Sequence, residues 1–537
     1  MKQVLTLSLG TGLIFCVLVL PNHPGTMTWA ALNRWPLELP VIVALMIALG
    51  RLRGLATVTA LLLVVATLVK IADYGTFIAY NRTFNPIVDL FLINAGFGLL
   101  TTSLGLPLTL MLVVLGSAAL VLLFVLLQFA LKAWADLPTQ NWMRGAAAAG
   151  VLMAGTWAVA DVGHHLDQWR FEASPPGTAW TSRLIYKRGA EMQATAADLA
   201  QFRRNAQSDP MLQAQGLLDM LEGRDVLLIW IESYGRASFD NPLYAQTHQQ
   251  TLRSAEAAIR ETGMSMRSGW LTSPTAGGES WLAHGTLATG LWTSDNGRYN
   301  AMIASGRKWL FHYAQRAGYQ TAAIMPAITL AWPESSAMGF DHVFAAADIP
   351  YQGKRFNWVT MPDQFTLAAY PDLLPQSAQP RFVQVALISS HAPWTPVPRM
   401  IPWEEIGDGS VFDQMAQQGP APRELWKDRD AVRDAYRRSV DYSLQAVFAH
   451  VANLGAQAPL IIVAGDHQAA GFVAGSDNRD VPFHVIGPSE VVSHLAHWGL
   501  SDGLLPAPDT PVRRMDRFRD DFLSAFSSFE PLAKAAP

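Results

Sequence analysis

The sequence predicts two halves of different class: a bundle of five membrane-spanning helices, then an α/β domain built on a mostly parallel central sheet. Three observations predict it. Only 13 Lys, Arg, Asp and Glu side chains fall in residues 1–165, although the 537-residue chain carries 39 Lys and Arg and 43 Asp and Glu. Five long apolar runs fill the same stretch. From Asp225 onward, short apolar runs alternate with segments of helical spacing, the pattern of strands crossed over by helices.

A bilayer crossing needs about 20 mainly apolar residues. The runs are 4–20, 35–50, 54–69, 107–131 and 145–160, and residues 90–131 hold no charged side chain. The second run is the weakest, with Glu38 and two prolines near its start. The first also has the length of a signal peptide, but no small-residue cleavage site follows it. Loop charges orient the bundle. Lys2, the pair Arg51 and Arg53, and the pair Lys132 and Arg144 share one side if all five runs span. The other side carries Arg34 and Arg82, with Lys70 reaching water from a helix end. The N-terminus is therefore expected in the cytoplasm, and everything after about Asp161 outside. Residues 83–106 are apolar but broken by Asn, Pro and Gly, and read as an interfacial or re-entrant piece. A sixth span there would turn the following domain into the cytoplasm and spoil the Lys/Arg pattern. The expected organisation is a transmembrane domain at 1–161, a helical linker at 162–222 and an extracytoplasmic catalytic domain at 223–537. The linker contains Pro175-Pro176-Gly177 and a helical stretch at 189–218.

Net charge is −4, so nothing points to nucleic acid. The single cysteine, Cys16, excludes disulfides within a monomer.

In the second half, strands are expected at Val226–Ile231, Gln320–Met325, 381–388, 460–464 and 481–486. Helices are expected at 309–317 and 430–454, the latter with Val432, Tyr436, Val440, Leu444, Val447 and Val451 at three- and four-residue steps. Three strand exits carry ligand-type side chains: Glu232-Ser233-Tyr234, Ser389-Ser390-His391 and Gly465-Asp466-His467. In parallel-sheet enzymes chemistry collects at such carboxyl ends, so Glu232, His391, Asp466 and His467 are expected on one rim. Taken singly, an acid after a strand is as well explained as a helix cap, and a lone loop histidine as a solvated one. Their joint occurrence makes a metal site the better reading, and one that leaves coordination open for a nucleophile or substrate. The nucleophile is sought in Leu271-Thr272-Ser273-Pro274-Thr275-Ala276-Gly277-Gly278-Glu279-Ser280, a Gly-rich turn running into a helix. Glycines admit an anion close to the backbone, and a helix N-terminus presents N–H groups to it. On local sequence alone Ser280 reads better as only the N-cap of its helix.

The order Glu232, a hydroxyl in a Gly-rich turn, a His-bearing strand end, then Asp466-His467 resembles the alkaline phosphatase superfamily. The stretches Ile231-Glu232-Ser233-Tyr234-Gly235-Arg236 and Gly465-Asp466-His467 resemble its sulfatase-type domain. With five spans in front, the layout is similar to membrane phosphoethanolamine transferases and to the phosphoglycerol transferases of the lipoteichoic acid synthase type. That resemblance implies an alkaline phosphatase-like fold, one zinc or manganese ion, and Glu232, Ser280, Asp466 and His467 as its ligands. It also implies a phospholipid donor, an envelope glycan or lipid acceptor, and a bacterial cytoplasmic membrane with the catalytic domain outside. Ser280 is set by its spacing to Leu287-Ala288-Thr289-Gly290, which resembles the L-x-T-G after the sulfatase nucleophile. Threonine is usual in the transferases, so serine is a departure, and Thr275 is the second choice. A sulfatase would need Cys, or Ser followed by a Pro/Ala and Arg maturation motif; Ser280-Trp281-Leu282-Ala283-His284 has neither. The lack of disulfides departs from the lipid A type of phosphoethanolamine transferase and sits more easily with the phosphoglycerol branch. His391 resembles the histidine that meets the substrate phosphate or protonates the leaving alkoxide. His484 is either a second such residue or structural. The implied activity is transfer of a phospho-headgroup through a phosphoserine or phosphothreonine intermediate. The rival readings are a membrane-anchored phosphodiesterase or phosphatase, and a non-catalytic sensor or scaffold.

Overall fold

The structure is a computed structural model; it describes residues 1–50, 52, 54–80, 83–169, 171, 177–455 and 458–528. Arg51, Arg53, Arg82, Pro175 and Pro176, which enter the sequence readings above, lie outside the described residues. Two compact units are present, Met1–Leu199 and Ala200–Pro537.

The first unit is helical: Lys2–Val19, Glu38–Leu49, Leu55–Tyr80, Phe91–Leu104, Leu106–Ala135, Asn141–His165 and the start of Trp180–Gln207. Four of these are long and apolar enough to cross a membrane: the first, third, fifth and sixth. Five were expected, and the difference is the run at 35–50. Its helix has 12 residues, held between Pro36 and Gly50, whose φ of 56° ends it. At about 1.5 Å per residue it extends roughly 18 Å, short of a hydrocarbon core of about 30 Å. The broken segment at 83–106 forms the 14-residue helix Phe91–Leu104, also below spanning length. Lys70 does not reach for water. Its helix continues to Tyr80, and the ammonium is fully buried. It donates to Val17 O at 3.0 Å, Leu18 O at 2.8 Å and Thr181 Oγ1 at 2.9 Å. All three donors are thus used, two of them on the carbonyls left open at the end of Lys2–Val19. A cation at a helix C-terminus also meets the negative end of its dipole.

The second unit is organised by one nine-stranded sheet. The strands are β1 (Val226–Ile231), β2 (Ser265–Thr272), β3 (Gln320–Met325), β4 (His342–Ala345), β5 (Arg381–Ala386), β6 (Leu460–Gly465), β7 (Asp480–Gly487), β8 (Ser501–Asp502) and β9 (Val512–Arg514). Their order is β4-β3-β5-β1-β6-β7-β2-β8, with β9 beside β2. The run β4-β3-β5-β1-β6 is parallel throughout. β7 is antiparallel to β6 and to β2. The expectation of a mostly parallel sheet therefore holds, with an antiparallel flank. β1 lies between β5 and β6 at the centre. All six of its residues are buried, as are those of β6, which is why both read as unbroken apolar runs.

The helix Arg429–Leu454 covers one sheet face, burying Val432, Tyr436, Val440, Leu444, Val447 and Val451 as the spacing predicted. Its N-cap Asp428 accepts from Asp430 N and Ala431 N.

Two glycines fix the exits of the central strands. A Cβ on Gly465 would lie 1.8 Å from the carbonyl oxygen of Tyr234, and one on Gly235 would lie 1.8 Å from Gln468 Oε1 and 2.8 Å from its Cα. The turns after β1 and β6 therefore touch backbone to backbone. Gly465→Ala is expected to destabilise the second unit by about 3 kcal/mol, because the obstructing atom is main chain and cannot rotate away. Thermal or denaturant unfolding of the variant reads this directly.

Candidate metal centre

Register brings the three marked exits together. β1 pairs with β5 through Trp230↔Ala386 and with β6 through Ile231↔Gly465, so all three strands end at one level. Glu232, His391 and the pair Asp466-His467 leave from there.

The turn after β1 is held from three sides. Ser233 adopts φ 57°, a left-handed conformation unfavourable for a side-chain-bearing residue. Its N–H donates to Asp466 Oδ1 at 2.8 Å, and its carbonyl accepts from Tyr436 Oη at 2.9 Å. The Glu232 carbonyl accepts from Ser390 Oγ at 2.6 Å. The turn after β5 is held by Asp363, whose buried carboxylate accepts from Ile388 N, Ser389 N and Ser443 Oγ at 2.9, 2.8 and 2.6 Å. Burial lifts the Asp363 carboxyl above its ordinary range despite these donors.

Glu232, Asp466 and His467 form the metal-type cluster among the described residues, with donor atoms all within 4.8 Å of one another. Asp466 and His467 are 1% exposed and Glu232 9%. Nδ1–H of His467 donates to the carbonyl of Gln468 at 2.9 Å, which turns Nε2 into the cluster. There Nε2 lies 3.1 Å from Glu232 Oε1. The donor set, two carboxylates and an imidazole, suits a divalent cation such as zinc.

The electrostatics say the same. Burial alone would raise the Glu232 carboxyl, but the imidazole of His467, with His391 adding to it, holds it well below the usual carboxylate range. Asp466, desolvated and beside the Glu232 charge, is pushed well above that range. Burial should lower His467, yet Asp466 and Glu232 raise it to about 10. The negative charge of this cluster favours a cation beside it, the part that the His467 imidazolium plays here.

The Gly-rich turn delivers the hydroxyl. Gly277 N–H donates to Gln468 O at 2.7 Å, docking the turn against the residues after Asp466-His467. Glu279 takes φ 63°, and the helix Ser280–Thr289 begins after it. Ser280, half-buried, donates from Oγ to Glu232 Oε2 at 2.8 Å. Thr275 does not join the cluster; its hydroxyl donates to Gly278 O at 2.8 Å within its own turn. His391 is close enough for its charge to act on Glu232, and its Nδ1–H donates to Ala392 O at 2.5 Å, leaving Nε2 free.

His484 is structural. It lies on β7 opposite Val463, fully buried. Its Nδ1–H donates to Ser268 Oγ at 2.7 Å, and Nε2 accepts from Tyr234 Oη at 3.2 Å. With both nitrogens satisfied, burial lowers it to about 3.

A family model described as Sulfatase matches residues 224–484. That match covers just under half of the chain. No curated protein matches the chain. Among solved structures, a Streptococcus pyogenes phosphoglycerol transferase, GacH, in complex with sn-glycerol-1-phosphate is similar at 14% identity. It covers 63% of this chain and 83% of that one, with a TM-score of 0.39. The C-terminal periplasmic domain of EptC from Escherichia coli, in complex with Zn, is similar at 14% identity over 57% and 82%, with a TM-score of 0.37. The lipoteichoic acid synthase LtaP from Listeria monocytogenes is similar at 12% over 58% and 74%, with a TM-score of 0.36. Likenesses this distant carry no weight below.

Asp363, Tyr436 and Gln468 support the site and left no trace in the sequence, because each acts through a contact made only in the fold. His284 left one, its spacing of four from Ser280.

Two outcomes are expected. Asp466→Ala should lose bound metal, as read by elemental analysis of the purified protein; unchanged metal content contradicts the ligand set. Metal affinity should rise with pH, because the cation displaces the imidazolium proton and that displacement is costly everywhere below about pH 10. Chelator competition between about pH 6 and 8 should show roughly ten-fold tighter binding per unit for each proton released.

Proposed function

We propose that the chain is a metal-dependent phosphotransferase that moves a phospho-headgroup from a membrane phospholipid to a hydroxyl of an envelope glycan or lipid. The headgroup is phosphoglycerol or phosphoethanolamine, and it rests in between on Ser280. The observation that carries this reading is the 2.8 Å hydrogen bond from Ser280 Oγ to Glu232 Oε2, a hydroxyl joined to a buried carboxylate–imidazole cluster.

Glu232, Ser280, Asp466 and His467 would hold one zinc or manganese ion. Such an ion lowers the pKa of a bound hydroxyl and offsets charge on phosphoryl oxygens. The remaining work falls to the chain. Glu232 fixes the direction of the Ser280 lone pairs. It orients the hydroxyl, and the proton leaves to solvent. Ser280 Oγ forms a bond to phosphorus as the bond from phosphorus to the diacylglycerol oxygen breaks. His391, protonated at the free Nε2, gives that oxygen its proton. An acceptor hydroxyl then gives its proton back to His391 and bonds to the same phosphorus as the phosphorus–Oγ bond of Ser280 breaks, and Oγ regains a proton from solvent.

The sulfatase-type domain supports this chemistry, and the four apolar helices support a membrane address. We place residues 1–161 in a bacterial cytoplasmic membrane, with 162–222 as a helical linker and 223–537 as the catalytic domain.

Incubation with a headgroup-labelled phospholipid should give a labelled protein adduct. Ser280→Ala should remove it and lower turnover by on the order of 10³-fold or more. Thr275→Ala should keep the adduct, since its hydroxyl is spent on Gly278. An active Ser280→Ala protein would sink the covalent scheme. Release of free headgroup without any acceptor would turn the reading to hydrolysis.

A further inference from the structure

We infer that His284 is a further substrate-binding residue of this site, whose Nε2–H donates to a non-bridging oxygen of the phosphoryl group passing through Ser280. The inference rests on the reading of Ser280 given above.

Position comes first. Ser280 and His284 are four residues apart on the helix Ser280–Thr289, so they share a face. The His284 ring lies on the Trp230 ring, with centroids 4.4 Å apart and planes at 31°. Trp230 is the penultimate residue of β1, two residues before Glu232 in the turn that follows. Trp230 is itself pinned, its Nε1–H donating to Gln384 Oε1 at 3.2 Å. The stack therefore seats the imidazole beside the cluster, where the charges of both Glu232 and His467 reach it.

Satisfaction comes second. Nε2 of His284 is buried and has no hydrogen-bond partner. A buried polar atom left without a partner costs about 1–3 kcal/mol, and native proteins keep few of them. Of the neighbouring histidines, His484 uses both nitrogens, and the other one with a buried nitrogen lacking a partner, Nε2 of His467, already lies in the carboxylate cluster. Nor is His284 one of the ligand group, whose atoms lie within 4.8 Å of one another.

Chemistry comes third. The carboxylates of the cluster repel an incoming phosphodiester, which presents two non-bridging oxygens. A donor on the nucleophile's own helix meets such an oxygen as Ser280 Oγ approaches phosphorus. The imidazole adds a hydrogen bond without a further metal ligand.

The test is calorimetric binding of inorganic phosphate to the metal-loaded full chain, with metal content and thermal midpoint measured on the same samples. His284→Ala should weaken phosphate binding about ten-fold with metal content and midpoint unchanged. His284→Gln, which keeps an N–H donor, should stay within about three-fold of wild type and serves if the alanine protein folds poorly. Equal phosphate affinity in wild type and His284→Ala would overturn the inference. So would metal loss in His284→Ala, which would make it a support of the cluster. A wild-type protein that holds metal but binds no phosphate also overturns it, leaving the Ser280 adduct to be judged separately. A wild type that holds no metal overturns the parent reading instead.

Discussion

Two carboxylates buried at the ends of adjacent parallel strands repel each other, and much of the second unit exists to keep them together. Glu232 leaves β1 and Asp466 leaves β6, and the register Ile231↔Gly465 puts the two exits level. Neither acid is free to turn toward water. The Glu232 carbonyl is tied to Ser390, and Asp466 Oδ1 accepts from two backbone N–H groups, those of Ser233 and His467. Burying two like charges without compensation is expensive, and removing one partner from such a cluster strands the other. His467 meets part of the demand. On the proposed reading a divalent cation would meet the rest, held by the same three donors.

Part of the backbone strain of the second unit sits at that cluster. Ser233 and Glu279 both take left-handed φ angles, and each adjoins a site residue, Glu232 or Ser280. Each such residue costs about 1–2 kcal/mol, which a stable scaffold elsewhere must offset. The scaffold is the fully buried pair β1 and β6, with Gly465 and Gly235 admitting close backbone approach. Strain at Glu279 has a use: it sets Ser280 at the start of its helix with the hydroxyl toward Glu232.

The legible parts of the sequence were those with strong local signatures. Apolar runs marked β1, β5 and β6, a strand-like stretch after Gly318 marked β3, and the residues just after β1, β5 and β6 marked the site. The edge elements were not legible. β8 and β9 are two and three residues long and take their strand character from pairing with β2. Asp363 was invisible because a single acid after Met361-Pro362 carries no hint that a strand exit will fold onto it. In the first unit, composition could not show that the run at 35–50 ends after 12 helical residues, nor that Lys70 turns inward to the end of another helix. Those are tertiary outcomes, and apolar run length does not encode them.

The claim on which the rest depends is that Glu232, Ser280, Asp466 and His467 surround one cation. Anomalous diffraction from crystals of the metal-loaded protein tests it most directly. The account predicts a single peak within about 2.0–2.3 Å of an oxygen of Glu232, of Asp466 and of Ser280 and of Nε2 of His467. A peak elsewhere, or no peak with Ser280 still hydrogen-bonded to Glu232, would contradict it.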